Sequence, residues 1–428
     1  MAETTFSLRN RALKLNTAAD LTPHISALES NTNSITSLDL SGNTIGVEAA
    51  AALATHLSTQ TQLKDANLAD IFTGRLLAEI PEALSSLLGA LLKCPNLETV
   101  NLSDNAFGLN TVSPLQVFLS QHTPLRHLYL NNNGLGPAAG TLVANALTEL
   151  ADRKAEARQA GKEVPDLETV VCGRNRLENG SMPAWSKTFQ ANHKVKVVKM
   201  VQNGIRPPGI SALLGDGLSH CAELRVLDLQ DNTFTLPASR VLASVLPKWS
   251  GLVELAVGDC LLGSRGGKLV GEALAKGNNV KVEVLRLQFN ELDAGAVQSF
   301  CEAAKSLPRL RRVELNGNKF SEDDPHVESL QNLLSERKSN AAESYPDIDE
   351  DDEEAWGVDE LDELEEDDDE DEDEDEGGDE DAEDEDEIEA EEEKILKEAD
   401  EAEAEPVSGK KDREVDDLAE VLGKTEIK

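Results

Sequence analysis

A loop arginine is the first candidate for functional chemistry in this sequence. Arg75 ends the stretch Asp70-Ile-Phe-Thr-Gly-Arg75, and Gly74 permits a tight turn just before it. Its guanidinium carries a permanent charge and a planar fork of donors that suits carboxylates and phosphates. We therefore expect Arg75 to project from the surface shortly before a helix over residues 80–91. An ordinary exposed arginine remains the alternative at this point.

The chain lacks the residue patterns of a self-contained active site. It has no P-loop motif for a nucleotide phosphate and no GxSxG nucleophile elbow. The cysteines include no CxxC pair, which argues against a disulfide framework and against a zinc site. The histidines show no metal-ligand spacing. These scattered residues are His24, His56, His122, His127, His193, His220, His326, Cys94, Cys172, Cys221, Cys260 and Cys301. We therefore expect a protein-binding molecule that is not itself an enzyme and has no cofactor or metal of its own.

A repeat of about 28 residues organises most of the chain and positions Arg75. Spaced aliphatic residues followed by asparagine, as in Ile35-Thr-Ser-Leu-Asp-Leu-Ser-Gly-Asn43, recur along the sequence. The final position falls at residues 43, 71, 105, 133, 175, 203, 232, 260, 290 and 318, and asparagine is replaced only by Ile71 and Cys260. This leucine-rich-repeat pattern predicts an α/β horseshoe solenoid of about 11 repeats, with parallel strands inside and helices outside. The asparagines should bond to the backbone of neighbouring turns.

The residue before each of these positions forms a second regular series. We do not expect the turn to require it, so its side chains are candidates for contacting a partner along one rim of the solenoid. For any single member, a solvated surface residue remains the alternative. The series is Gly42, Asp70, Asp104, Asn132, Arg174, Gln202, Asp231, Asp259, Phe289 and Gly317. The polar members predicted to bind a partner, beside Asn132, are Asp70, Asp104, Arg174, Gln202, Asp231 and Asp259.

Charge divides the chain into a neutral part and an acidic part. Of the 82 acidic residues, 36 lie between residues 343 and 393, where there is no lysine or arginine. The first 342 residues carry 35 acidic and 33 basic residues. Dense like charge with few apolar residues predicts disorder. We therefore predict a leucine-rich-repeat domain over residues 1–341, a disordered acidic segment over 342–393, and a short, partly helical segment over 394–428.

Several further expectations follow from spacing and composition. The long intervals before positions 105 and 175 predict two insertions, and the second should contain a helix extended into solvent and an exposed loop. Neither part of the chain has the basic stripe of a nucleic-acid-binding protein. No signal peptide and no apolar run of membrane-spanning length are visible. We expect a soluble monomer in a reducing compartment, with neither nucleic acid nor membrane as a partner.

The loop sequences closely resemble those of the Ran GTPase-activating proteins. The residues behind this resemblance are Asp70-Ile-Phe-Thr-Gly-Arg75, Ile80-Pro-Glu-Ala-Leu84, Leu102-Ser-Asp-Asn-Ala-Phe-Gly108, Leu128-Tyr-Leu-Asn-Asn-Asn-Gly-Leu-Gly-Pro137, Gly173-Arg-Asn-Arg-Leu-Glu-Asn-Gly-Ser-Met182 and Val201-Gln-Asn-Gly-Ile-Arg206. The likeness covers roughly residues 1–340 and continues in the acidic tail. Other leucine-rich-repeat proteins share the framework but not these loops.

The resemblance implies a cytoplasmic activator of the small GTPase Ran, of the short fungal type, that supports nucleocytoplasmic transport. It implies binding to Ran in its GTP form, alone or together with a Ran-binding protein, and GTP and Mg²⁺ would belong to the partner. Arg75 matches the family's activity-critical arginine, and Asn132 matches the asparagine that contacts the catalytic glutamine of Ran. In the family's mechanism, Ran supplies the active site and the activator orders Ran's glutamine and switch region. The alternative is a non-catalytic leucine-rich-repeat scaffold or inhibitor of the ribonuclease-inhibitor type.

Overall fold

The computed structural model describes residues 4–26, 28, 34–341, 345, 348, 352 and 354–364. The segment predicted to be partly helical, residues 394–428, lies outside the described residues, as does most of the segment predicted to be disordered. Everything below concerns the described part of the chain.

Twelve short parallel strands of the described chain form one continuous sheet, and they follow one another in chain order. Two further strands form a separate small sheet, which we call the side sheet. Leu38 pairs with Ala66 and Ala66 with Val100, so the buried residues lie in register. In most strands the middle residue is buried and its two neighbours reach the opposite face, as the alternation of a strand requires. The strands are Thr5–Ser7, Ser37–Asp39, Asp65–Asn67, Thr99–Asn101, His127–Tyr129, Thr169–Val171, Val197–Lys199, Val226–Asp228, Glu254–Ala256, Val284–Arg286, Arg312–Glu314 and Gly357–Val358, with Lys14–Leu15 and Thr44–Ile45 in the side sheet. The predicted parallel sheet is confirmed.

Helices connect the strands and form the second layer. Leu53 and Leu57 lie one turn apart in the first long helix and are fully buried against the sheet. The helices are Ala18–Leu21, Val47–Leu57, Glu79–Leu91, Val112–Gln121, Gly136–Gln159, Glu178–Ala191, Pro207–Ala212, Thr235–Val245, Gly263–Ala275, Ala294–Ser306 and Pro325–Ala341, with shorter helical turns at Thr22–His24, Leu109–Thr111, Leu213–Gly217, Leu218–His220 and Leu246–Lys248. Within the described ranges, none of them combines the length and apolar character needed to span a bilayer.

The repeat asparagines join neighbouring repeats through the backbone. Asn133 is fully buried, and its Nδ2 donates to the carbonyl oxygens of Leu102 and Leu130, both at 3.0 Å. Its Oδ1 accepts the backbone N–H of Asn105 at 2.8 Å, and its own N–H donates to Oδ1 of Asn175 at 2.9 Å. Each amide thus satisfies backbone groups of two repeats that would otherwise be buried without partners. The predicted structural role of these asparagines is confirmed.

The two predicted breaks in this series are filled in different ways. Cys260 keeps a weak donor, because its Sγ donates to the carbonyl oxygens of Leu229 and Gly258, both at 3.4 Å. Ile71 has no donor, and its side chain is fully buried in the core beside Phe72. The asparagine ladder is therefore interrupted at Ile71, at the start of the loop that leads to Arg75.

The second insertion is only partly exposed. The helix Gly136–Gln159 has 24 residues, which confirms the predicted extension. Lys154 near its end is 2% exposed, however, and its Nζ donates to the carbonyl oxygens of Leu125 at 2.6 Å and Pro165 at 2.7 Å. Burial lowers the pKa of Lys154 from 10.5 to about 7. One lysine therefore fastens the inserted loop to the repeat array.

The sheet continues beyond the predicted domain boundary at residue 341. Gly357–Val358 pairs with the preceding strand, and Trp356 is 4% exposed. The carboxylate of Asp359 accepts the backbone N–H groups of Leu315 at 2.7 Å and Asn316 at 3.1 Å. The boundary was placed too early because one aromatic side chain and one carboxylate near the start of the acidic segment supply burial and hydrogen bonds that a pure charge run lacks.

Candidate functional site

The residue before each repeat asparagine has a left-handed backbone. The φ angles are 50° at Asp70, 62° at Asp104 and 52° at Asn132, and the other seven members lie between 52° and 70°. We call these ten residues the rim. Backbone hydrogen bonds connect the rim of one repeat to the next repeat. For example, the N–H of Asn132 donates to the carbonyl oxygen of Gly173 at 2.9 Å. The expectation that the turn does not require this position is therefore wrong, because only glycine, asparagine and aspartate adopt this conformation at low cost.

Asn132 is exposed on the rim, and a neighbouring carboxylate orients its side chain. Its Nδ2 donates to Oδ1 of Asp104 at 2.9 Å. Because an ionised carboxylate can only accept hydrogen bonds, this contact directs the amide nitrogen toward Asp104. The amide oxygen of Asn132 is then the atom offered to a donor on a partner.

The loop below Asn132 is held on both sides. Asn131 accepts the backbone N–H of Gly173 through its Oδ1 at 2.7 Å, and its own N–H donates to the hydroxyl of Ser103 at 3.1 Å. Asn133 on the other side belongs to the buried ladder. The asparagines on both sides therefore fix the backbone of Asn132, and the hydrogen bond to Asp104 orients its side chain.

Arg75 does not project from the surface as predicted, because its guanidinium folds back onto the preceding repeat. Nε donates to the hydroxyl of Thr44 at 2.8 Å, and Nη2 donates to the carbonyl oxygens of Thr44 at 3.0 Å and Leu15 at 3.3 Å. The group lies against Gly46, where a Cβ atom would come within 2.8 Å of Nη1. Arg75 thus ties its loop to the N-terminal end of the array.

The Arg75 guanidinium and the Asn132 amide belong to different parts of the surface. The guanidinium contacts the repeat of Thr44, which lies three strands before the repeat of Asn132. With neighbouring strands about 4.8 Å apart, the backbones of these two repeats are about 14 Å apart. In this arrangement the two groups do not converge on one phosphate or one side chain of a partner.

Exposed leucines beside Arg75 were missed in the sequence. Leu76 is 72% exposed and Leu77 is 53% exposed, and both precede the helix that begins at Glu79. Leu109, in the corresponding loop of the next repeat, is 54% exposed. Leu76 and Leu77 are consecutive, and clustered exposed apolar side chains are candidates for a contact surface, whereas single ones are ordinary. The available signal was a pair of leucines placed before the first buried helical residue, Ile80.

The C-terminal half of the rim brings the remaining polar candidates together. Burial raises the pKa of the Asp231 carboxyl, and the negative charge of Asp259 in the next repeat adds to this rise. A hydrogen bond from Gln202 and the positive charge of Arg174 oppose it. The structure therefore places these four predicted residues along one edge. Asp70 instead accepts a hydrogen bond from the hydroxyl of Thr73 inside its own loop.

Short parallel strands, an asparagine ladder and an exposed left-handed rim define a leucine-rich-repeat protein with a candidate partner-binding edge. The "Leucine Rich repeat" family model matches residues 32–54 and 93–113. Ran GTPase-activating protein 1 of Saccharomyces cerevisiae is 43% identical over 338 residues, which cover 77% of this chain and 82% of the yeast protein. The chain belongs to the family of the Ran GTPase-activating proteins, and the resemblance seen in the loops is confirmed.

Two other relatives show how far the similarity extends. The Ran GTPase-activating protein of Drosophila melanogaster is 34% identical over 320 residues, which cover 74% of this chain and 52% of the fly protein. The chain therefore spans about half the length of that relative. Ribonuclease inhibitor of Sus scrofa is 25% identical over 341 residues, which cover 77% of this chain and 68% of the inhibitor. The framework is shared with the inhibitor, but the similarity is lower than to the family members.

Proposed function

We propose that this chain stimulates the hydrolysis of GTP by Ran. The observation that supports this function best is the 43% identity to the yeast relative, which extends over 82% of that protein. The alternative is a non-catalytic scaffold or inhibitor, and the chain is only 25% identical to ribonuclease inhibitor. Nothing in the rim favours it over an activator.

In the proposed mechanism, Asn132 acts on the catalytic glutamine of Ran. Its amide oxygen accepts a hydrogen bond from the glutamine side-chain amide, and the glutamine then aligns the attacking water. Such positioning is the main protein contribution to GTP hydrolysis, and activators of small GTPases accelerate it by up to about 10⁵-fold. The hydrogen bond from Asn132 to Asp104 supports this role, because it orients the amide before binding. A preoriented group loses less entropy on binding.

Arg75 has a different role in this proposal, since it organises the loop and contacts the GTPase outside the phosphate site. An arginine finger would have to break three hydrogen bonds to Thr44 and Leu15 before it could reach a phosphate. By holding the loop, Arg75 presents Leu76 and Leu77 as an apolar contact surface. This arrangement supports the expectation that Ran supplies its own catalytic groups.

The remaining expectations belong to the same proposal. Ran binds in its GTP form, alone or with a Ran-binding protein, and GTP and Mg²⁺ enter with it. The chain contributes contacts and no cofactor, acts as a monomer, and has no complete active site of its own. We also propose a cytoplasmic location. All five cysteines lie in the described residues as buried free thiols, which supports a reducing compartment.

Phosphate release from GTP-loaded Ran tests the proposed function directly. With a substoichiometric amount of this chain, an activator releases phosphate over many turnovers, whereas an inhibitor or scaffold acts at most one-to-one. The Asn132→Gly variant should bind Ran but lose most of the stimulation, because glycine retains the left-handed backbone and removes only the amide. Absence of multiple turnover with the wild-type chain would defeat the proposal.

A further inference from the structure

Phe289 is the most costly residue on the rim. Three rim residues are neither glycine, asparagine nor aspartate: Arg174, Gln202 and Phe289. Arg174 and Gln202 interact with Asp231, which gives them a local role. Phe289 has φ 54° and is 43% exposed, so a bulky apolar side chain is both strained and in contact with water. The turn would accept a smaller polar residue at lower cost.

Leu261 repeats both unfavourable features in the adjacent repeat. It follows Cys260, has φ 53° and is 45% exposed. The strands of the two repeats, Glu254–Ala256 and Val284–Arg286, are direct neighbours in the sheet. Two exposed apolar residues with left-handed backbones therefore lie in adjacent repeats. The turn accounts for their backbone conformation but not for the choice of apolar side chains, and strain of this kind persists where function needs it.

Other exposed apolar side chains of similar size lack this combination. Val117 is 48% exposed in the helix Val112–Gln121, and Val280 is 44% exposed in the turn before the strand Val284–Arg286. Neither has a left-handed backbone. The coincidence of exposure and strain is a property of Leu261 and Phe289 and does not extend to these two surface valines.

The ring of Phe289 is held in a defined position. A Cβ atom at Gly317, the next rim residue, would overlap the ring, so the ring lies across the edge of that repeat. Gly317 itself has φ 68°, which glycine adopts without strain. Because residue 317 has no side chain, the ring of Phe289 packs against its backbone, and the other face of the ring is exposed to solvent.

We propose that Leu261 and Phe289 form a second docking site for the GTPase, which also contacts Asn132 further along the rim. This inference rests on the proposed function. Phe289 lies five strands beyond Asn132, a span of about 24 Å at about 4.8 Å per strand. A globular domain of about 200 residues has a radius of gyration of about 16 Å, so one GTPase domain can reach both ends.

The residues between the two ends favour the same occupant. Arg174, Gln202, Asp231 and Asp259 form a polar stretch from Asn132 to Leu261, with both signs of charge. An apolar anchor that becomes buried on binding, beside polar and charged contacts, is the common arrangement of a specific protein interface. The anchor would supply affinity, whereas Asn132 would act on the chemical step.

The substitutions Leu261→Asn and Phe289→Asn test the docking site through binding. Asparagine tolerates the left-handed backbone, which offsets part of the loss of a half-buried side chain, so Tm should stay within about 3 °C of wild type. The KM for GTP-loaded Ran should rise about tenfold, as expected on loss of an apolar anchor, and kcat should stay within about twofold of wild type. Val280→Asn, an equally exposed site away from the rim, should leave KM unchanged.

Direct titration with Ran bound to a non-hydrolysable GTP analogue separates the two proposals. If the wild-type chain stimulates hydrolysis and both variants keep the wild-type KM, the docking site is refuted and the proposed function stands. If the wild-type chain gives no stimulation but binds Ran, and both variants weaken that binding, the docking site stands and the proposed function fails. Absence of any binding overturns both.

Discussion

Removal of the Asp104 carboxylate should slow the stimulated reaction by releasing the amide of Asn132. Asp104→Gly is the informative change, because φ at this residue is 62° and glycine preserves that turn. The variant loses only the acceptor that holds Asn132 Nδ2 at 2.9 Å. Asp104→Asn keeps both the backbone tolerance and an acceptor oxygen, so it should fall between Asp104→Gly and wild type.

The size of the effect follows from exposure. A hydrogen bond to a charged group is worth about 1.5–3 kcal/mol, but Asn132 and Asp104 are both exposed, so solvent reduces this to about 1 kcal/mol. That corresponds to a loss of about fivefold in kcat. Asn132→Gly removes the contact to the glutamine itself and should cost about 10²–10³-fold, the usual effect of deleting one positioned catalytic contact.

Single-turnover phosphate release at saturating concentrations of this chain measures the chemical step without the binding step. Asp259→Gly is the matched control, since Asp259 is an exposed acidic rim residue with φ 53° that contributes to binding in this proposal, so the rate constant at saturation should stay unchanged. A wild-type rate for Asp104→Gly would refute the argument that Asp104 orients Asn132. A loss as large as that of Asn132→Gly would refute it as well, because Asp104 would then act directly.

Three further predictions concern other parts of the chain. Arg75→Lys should keep at least about a tenth of the stimulated rate, whereas loss of an arginine finger would cost about 10³-fold or more in the same assay. A chain ending at residue 341 should lose about 3 kcal/mol of unfolding free energy in urea, because Trp356 is 4% exposed and is removed, whereas a chain ending at residue 368 should match wild type. Between pH 7 and 10.5 the unfolded chain binds the proton that Lys154 lacks in the folded chain, so stability rises with pH. The unfolding free energy of wild type minus that of Lys154→Met should therefore increase by up to about 1.4 kcal/mol per pH unit, and a flat difference would contradict the buried environment of this lysine.

The repeat architecture was predictable because the same spacing of aliphatic residues and asparagine recurs in most repeats. Aliphatic spacing such as Leu38 and Leu40, followed by Asn43, recurs often enough to identify strand, turn and ladder without any tertiary information. The rim conformation was also visible, although it was not recognised. Seven of its ten residues are glycine, asparagine or aspartate, the types that tolerate a left-handed backbone.

The placement of Arg75 was not predictable in the same way. Its hydrogen-bond partners Thr44 and Leu15 lie 31 and 60 residues away in the sequence. Neither belongs to a sequence motif that predicts a hydrogen bond from arginine. Trp356 is the opposite case, because a single tryptophan in an acidic run was a visible sign of packing. Composition averaged over the segment concealed one side chain that extends the folded part of the chain.

The rim explains why conformation and partner contact are difficult to separate at its individual positions. At Asn132 the two requirements agree, since asparagine suits both the left-handed turn and the contact to an amide, and residue type alone cannot tell them apart. At Phe289 they conflict, because the turn disfavours a bulky apolar residue and an apolar contact requires one. Positions of agreement therefore need kinetic tests, as for Asn132 and Asp104. At positions of conflict, a substitution that leaves the fold intact while weakening binding identifies the partner contact directly.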